Sequence, residues 1–332
     1  MNPVVSTESS DAGLRLARPA GLRRLPMVLT VLIFALLLIV PVLAQVADKP
    51  YLLLQFSRIL VFSLAAIGLN LALGYGGLIS FGHAMYLGLG AYCVAVASHY
   101  GADSGVLHLL LVLGVTAVVA VPVGLIALRT TGIAFIMITL ALAQMFYFLA
   151  VGLKQYGGDE GLPIHQLSRF GGLTGSHLAL YLSLLACVAG SVWLMRRLVA
   201  SRFGLILRAC SLDVRRVRAS GTTPLPYLLL AYVLSAQLCA LAGFFLANLT
   251  AFASPAYMAW TASGELIIMV LLGGAGTLMG PVVGAAGFLL LEEGLKAFTD
   301  HWLIVMGPVI VLIVLFLRNG LWGILSPAPE DH

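Results

Sequence analysis

The stretch that decides how this chain folds is LLGGAGTLMGPVVGA, residues 271–285. Glycine at that density has two physical uses: backbone amides that cradle a phosphate, or bare helix surface that lets two backbones touch. A phosphate loop of the Walker type needs a lysine directly after its last glycine. The sequence contains no Gly-Lys dipeptide. The Gly274-Ala275-Gly276 start also lacks the strand of a dinucleotide fold, because both flanks are membrane-length apolar runs. Gly276, Gly280 and Gly284 recur every fourth residue, so on a helix they share one face. With Gly273 and Gly274 beside them, and Pro281 allowing a break or kink, the stretch reads as a close-packing, discontinuous element of a helix bundle.

Composition supplies the surroundings. The 332 residues are 61% hydrophobic and 9% charged, where a soluble domain carries about a quarter charged residues to keep its surface wet. The fold class that follows is an all-α polytopic integral membrane protein. The net charge of +5 is read as the arginine excess of cytoplasmic loops, not as a nucleic-acid surface. Cys93, Cys187, Cys210 and Cys239 form no C-x-x-C pair and are read as packing residues. The seven histidines are scattered, and no zinc or nucleophile-elbow motif occurs, so no metal, cofactor or catalytic residue is assigned.

Apolar runs occupy residues 26–44, 52–73, 82–99, 106–128, 132–153, 178–195, 225–249, 263–291 and 303–317. The first is too long for a signal-peptide core of about 7–15 residues and is read as an uncleaved span. The run 263–291 exceeds the ~20 residues of one crossing, so it divides at its glycines. With a cytoplasmic amino terminus, Arg129 and the arginines of 196–218 fall inside, while Asp48, Lys49, Asp103, Lys154, Asp159, Glu160 and Arg169 fall outside. Division of the long run then places Glu292, Glu293 and Asp300 outside and Arg318 inside, which favours ten segments over nine. The expected organisation is a tail at 1–25, a membrane domain at 26–320 with a cytoplasmic loop at 196–221, and a tail at 321–332.

Three features suggest a task. LNLALGYGGLISFGHAMYLGLGAY, residues 69–92, predicts broken helix in a protected interior, the kind of element that lines transporter sites. Its Asn70, Gly74, Gly76, Gly77, Ser80, Gly82 and His83 are pathway or packing candidates. Glu265, Thr139 and Gln144 are polar groups within apolar runs and join that set, although neither Glu265 nor Arg58 has an evident partner. RRLVASRFGLILRACSLDVRRVRASG, residues 196–221, predicts an amphipathic docking helix with Leu205, Leu207, Ala209, Cys210, Val214 and Val217 on one face.

Together with TTGIAFIMITLALAQ (130–144) and GGDEGLP (157–163), these stretches make the chain resemble the permease subunits of bacterial ATP-binding-cassette importers for branched-chain amino acids, of the LivM type. The resemblance runs from about the second span to LWGIL. It implies a bacterial inner-membrane complex of two permease subunits, two ATPases that bind the ATP, and a periplasmic solute-binding protein. It assigns ATPase docking to Arg202, Phe203, Gly204, Arg208, Arg215, Arg216 and Gly221, and binding-protein contact to Asp159 and Glu160. Related permeases serve urea and other small amides. An ion-coupled carrier working alone is the competing class, with Glu265 as its candidate acid.

Overall fold

The computed structural model describes residues 20–46, 50–164, 166–169, 177–299, 301–316 and 320–325. It is almost wholly helical. Five helices are long and apolar enough to cross a membrane: α2 (Pro50–Asn70, continued to Tyr75), α4 (Gly105–Ala127), α5 (Ile133–Gly152), α6 (His177–Ala200) and α9 (Pro224–Thr250). Five shorter or more polar helices run beside them: α1 (Ala20–Val46), α3 (His83–His99), α10 (Trp260–Gly273), α11 (Gly280–Phe298) and α12 (Trp302–Phe316). Between α6 and α9 lie two short helices, α7 (Arg202–Leu212) and α8 (Val214–Ala219), and α13 (Gly320–Leu325) closes the described chain.

α9 is the hub, because its small residues let neighbours approach to backbone contact. A Cβ at Gly90 of α3 would overlap the Ala240 carbonyl, and one at Gly243 of α9 would overlap the Leu87 carbonyl. On the α2 side, a Cβ at Gly68 would come 2.8 Å from the Ser235 carbonyl. In lipid, where no hydrophobic effect drives helices together, such close packing is the main adhesive. Side-chain hydroxyls add hydrogen bonds between helices: Ser235 Oγ donates to the Gly68 carbonyl at 2.6 Å, and Tyr181 Oη donates to the Leu37 carbonyl at 2.7 Å.

The long apolar run divides as expected. α10 and α11 form an antiparallel hairpin, and the turn between them meets the end of α2, where a Cβ at Gly74 would overlap the Gly276 backbone. α11 returns to the start of α2, where Tyr51 hydrogen-bonds Glu293 and Arg58 pairs with Glu292. α12 then brings the chain back, so that Gly320 (φ 68°) lies against the Gly273–Gly274 backbone. Among the described residues, ten helices therefore run between two ends, five of them long and apolar enough to cross a membrane. One end gathers the arginine-rich α7–α8 unit, the α4–α5 turn and the α10–α11 turn. The other gathers Tyr51, Glu292, Glu293 and the loops after α5 and α9, where a two-residue strand β1 (Leu162–Pro163) pairs antiparallel with β2 (Phe252–Ala253).

The structure corrects one helix face and the role of Pro281, and it shows helix at both edges of the expected membrane domain. α1 extends back to Ala20, inside the expected tail, with Gly21 and Pro26 within the helix. The carboxyl-terminal tail opens with α13, whose Trp322 is buried. Gly276 does not share a helix face with Gly280 and Gly284; it sits in the turn at φ 76°, and the α11 glycines meet Gly273 of α10 instead. Pro281 does not kink a helix but starts one, as the second residue of α11, where its missing N–H costs nothing. Asp48, Lys49, Asp300 and Arg318 lie outside the described residues.

Candidate functional site

The break predicted in residues 69–92 is present. α2 widens into a π-helical turn at Leu71–Tyr75, the chain runs irregularly through 76–82, and α3 begins at His83. A π-turn inserts one residue per turn and frequently marks a functional position. Two backbone amides of the break are held by side chains of other helices, and a third by Ser80 within it. Thr139 Oγ1 of α5 accepts from Phe81 N at 3.2 Å, Ser263 Oγ of α10 accepts from Ala84 N at 3.0 Å, and Ser80 Oγ accepts from Gly82 N at 3.2 Å. Gly82 itself packs on the Thr139 backbone.

His83 is fully buried at the start of α3. Its Nε2 lies 2.8 Å from Ser235 Oγ, and its ring sits edge-on to Tyr232 (5.3 Å) and Tyr86 (6.0 Å). The Tyr86 hydroxyl donates to that of Tyr232 at 3.2 Å. His83 Nδ1 has no hydrogen-bond partner among the described residues. Packing against Ser235 and two tyrosine rings fits a structural histidine better than a metal ligand. No group of three metal-binding side chains occurs among the described residues.

Asn70 serves packing. Its amide holds the α10–α11 turn by donating to the Thr277 carbonyl and accepting from Gly276 N. Gln144 and Glu265 stand apart from the break. Gln144 lies half-buried on α5 with Nε2 unpartnered among the described residues, and Glu265 is exposed on α10. Glu265 stands within electrostatic reach of a cluster that the sequence did not reveal: Glu292 Oε1 lies 3.4 Å from Arg58 Nη2 and 2.5 Å from Lys296 Nζ. Arg58, which has no evident partner in the sequence, thus pairs across 234 positions of chain.

The 196–221 segment is two helices, not one. Asp213 breaks it at extended dihedrals and caps α8, its carboxylate accepting from Arg215 N at 2.8 Å and Arg216 N at 3.4 Å. The buried face is Gly204, Leu207 and Cys210 on α7 and Val217 on α8. Leu205 is not on it: residues two apart on a helix point in nearly opposite directions, and Leu205 is 67% exposed. Leu212, a further seven residues along, is 89% exposed on the same outer face.

Several docking candidates turn out to build the unit. Arg208 Nη2 donates to the Val199 carbonyl at 2.9 Å, Phe203 stacks tilted on Tyr227, and a Cβ at Gly204 would overlap the Val199 backbone. Gly221, at φ 84°, reverses the chain into α9. Arg202, Arg215 and Arg216 remain exposed, Arg216 paired with Asp213 at 3.3 Å. Asp159 and Glu160 are exposed on a turn at the opposite end.

The docking unit and the break are in contact. A Cβ at Gly77 (φ 67°) would stand 3.1 Å from the Ser211 Cβ, and Gly76 meets Leu207. A cavity of about 430 Å³ opens between them, bounded also by the α4–α5 turn. A second cavity, of about 520 Å³ among α3, α4 and α5, is walled almost entirely by apolar side chains. The residues that sequence reading missed are Ser211, Tyr232, Ser235, Ser263 and Glu292. Ser235 and Ser263 carried a signal, as hydroxyls within apolar runs beside small residues.

Comparison with known proteins agrees with this architecture. A family model described as branched-chain amino acid transport system, permease component, matches residues 51–314. The high-affinity branched-chain amino acid transport system permease protein LivM of Salmonella typhimurium is 24% identical over 293 residues, covering 81% of this chain and 69% of that protein. LivM of Escherichia coli K12 is likewise 24% identical over 294 residues. LivH of Escherichia coli K12 is 24% identical over 287 residues, covering 79% of this chain and 91% of LivH. No solved structure matches the chain. Its helices, its glycine-broken segments and a match over most of its length agree: the chain belongs to the family of branched-chain amino acid transport permease components.

Proposed function

We propose that this chain is one of two permease subunits of an ATP-binding-cassette importer that carries branched-chain amino acids across a bacterial inner membrane. The other permease subunit is a homologue of the same fold, as the similarity to both LivM and LivH suggests. Two cytoplasmic ATPases bind and hydrolyse the ATP, and a periplasmic binding protein delivers the substrate to the end that carries Asp159 and Glu160. The arginine-rich end faces the cytoplasm, where positive charge is retained, so both ends of the ten-helix bundle's chain emerge there.

The observation that carries this reading is the outer face of α7. It presents Leu205 and Leu212, 67% and 89% exposed, two turns apart and flanked by Arg202 and Arg208. A helix that shows apolar anchors at i and i+7 to water is shaped to lie in a partner's groove. Motion of that partner reaches the broken helix through the Ser211–Gly77 contact.

The test is to tag the chain, solubilise native membranes gently and identify what co-purifies. Recovery of ATPase subunits, a second permease and ATP-dependent leucine uptake in proteoliposomes supports the proposal. Leu205→Asp with Leu212→Asp should abolish ATPase recovery while leaving the protein inserted. Recovery of the chain alone, active without ATP, would instead favour the ion-coupled carrier, for which the Arg58–Glu292–Lys296 cluster is the specific observation.

A further inference from the structure

The cavity between α7–α8 and the helix break sets two arginines beside apolar side chains, and of the two only Arg215 has so far been given a role, in docking. Its apolar lining is Phe135, Ile136 and Leu228, to which Thr130, Thr131 and Ser211 add hydroxyls, and Ile79, Arg215 and Arg218 stand at its exposed rim. Asp213 also lines it, but that carboxylate is committed: it caps α8 and pairs with Arg216 at 3.3 Å. Arg215 and Arg218 have no ion pair among the described residues. Two exposed arginines that have no ion pair among the described residues therefore line a partly apolar cavity. A guanidinium is the group best suited to a planar carboxylate, and the apolar lining takes an aliphatic side chain.

We propose that this cavity is a cytoplasmic-side binding site for a small apolar carboxylate, the leaving branched-chain amino acid itself, with its carboxylate at Arg215 and Arg218 and its side chain on Ile79, Phe135 and Leu228. The proposal rests on the function proposed above. Its volume of about 430 Å³ lies within the 300–1,000 Å³ range of ligand pockets and leaves room for water beside one amino acid. The site is bounded by the three elements that ATPase motion would displace, namely the break, the α4–α5 turn and the α7–α8 unit. Closing them together empties the cavity, so occupancy and the nucleotide cycle are linked.

The test reads the cavity directly. Ile79, 46% exposed at the rim, is replaced by Ile79→Cys in the assembled complex, held without ATP in phosphatidylcholine nanodiscs. Cys210, which lines the same cavity, is buried, and burial pushes its thiol up, so it is removed as Cys210→Ser to leave one reporter in the cavity. Maleimide labelling at residue 79 is followed by peptide mass spectrometry with increasing leucine. Leucine should protect Ile79→Cys, leucinol, which lacks the carboxylate, should not, and exposed Asp159→Cys at the other end should label regardless.

Adding Arg218→Gln should raise the half-protecting leucine concentration about tenfold, the loss expected for one hydrogen bond to a charged group. Leu225→Cys, 43% exposed on the same cavity, serves as a second reporter if Ile79→Cys does not assemble. Leucine uptake with no protection at either reporter overturns the site and leaves the transport function standing. Protection by phosphatidylglycerol but not by leucine assigns the arginines to a lipid headgroup and also overturns it. Loss of ATPase recovery in Arg218→Gln, with protection unchanged, makes the rim a docking surface only. Absence of any leucine uptake, by contrast, is a failure of the proposed function.

Discussion

Asn70 grips the α10–α11 turn from both sides: Nδ2 donates to the Thr277 carbonyl at 2.8 Å, and Oδ1 accepts from Gly276 N at 2.9 Å. The turn glycines have positive φ and form no helix of their own, so this side chain from α2, more than 200 residues away, supplies their missing partners. Asn70→Ala leaves two backbone groups unsatisfied in the bundle and should cost about 2 kcal/mol. The expected result is a lower Tm in detergent, with Asn70→Asp intermediate because it keeps the acceptor. An unchanged Tm for Asn70→Ala would show that the turn is held by packing alone.

Glycine positions should separate sharply by what surrounds them. A Cβ at Gly273 would overlap the Gly280 carbonyl, whereas one at Gly190 of α6 meets nothing within 4 Å. Gly273→Ala should therefore force α10 from α11, cost about 1–3 kcal/mol and reduce folded yield. Gly190→Ala should be neutral or stabilising by up to about 1 kcal/mol. Fluorescence-detected size exclusion of both variants checks the contrast, and equal behaviour would contradict the packing.

Glu292 is the shared acid of Arg58 and Lys296, and its side chain is 9% exposed while theirs are 38% and 36%. Glu292→Leu leaves two like charges facing each other and should destabilise by about 1–2 kcal/mol, discounted because both cations still reach water. The double variant Glu292→Leu with Arg58→Leu should recover part of that loss. A double-mutant cycle by thermal melting measures it, and strict additivity would mean that the pair is not coupled.

Asp213→Ala should act on α8 alone. It removes the cap that accepts from Arg215 N and Arg216 N, a loss of about 1 kcal/mol, and frees Arg216. Hydrogen exchange should rise across residues 214–219 with no change in the membrane helices. ATP-dependent uptake should fall while membrane insertion stays normal. Unchanged exchange in α8 would count against Asp213 as its organising residue.

The membrane class, the break in residues 69–92, the split of 263–291 and the amphipathic character of 196–221 were all legible in the sequence, because each rests on local composition and spacing. An apolar run must be buried in lipid, and glycine weakens a helix wherever it stands. The errors also arose locally. Leu205 and Leu207 cannot share a face of α7, because two positions of helix turn about 200°, and apolar character alone does not tell which of them is buried. Gly276 was aligned with Gly280 and Gly284 by spacing alone, although the helix that would align them does not begin until Gly280.

Sequence alone thus determined that this chain is a bundle of apolar helices with glycine-weakened joints and an arginine-rich loop on one side. Only the tertiary structure decided what meets at those joints: Gly74 against Gly276, Ser211 against Gly77, Glu292 between Arg58 and Lys296. The physical reason is the range of the forces. Burial and helix propensity act through neighbours in sequence, whereas a backbone-to-backbone approach or a shared carboxylate depends on two segments whose separation along the chain carries no record of their contact.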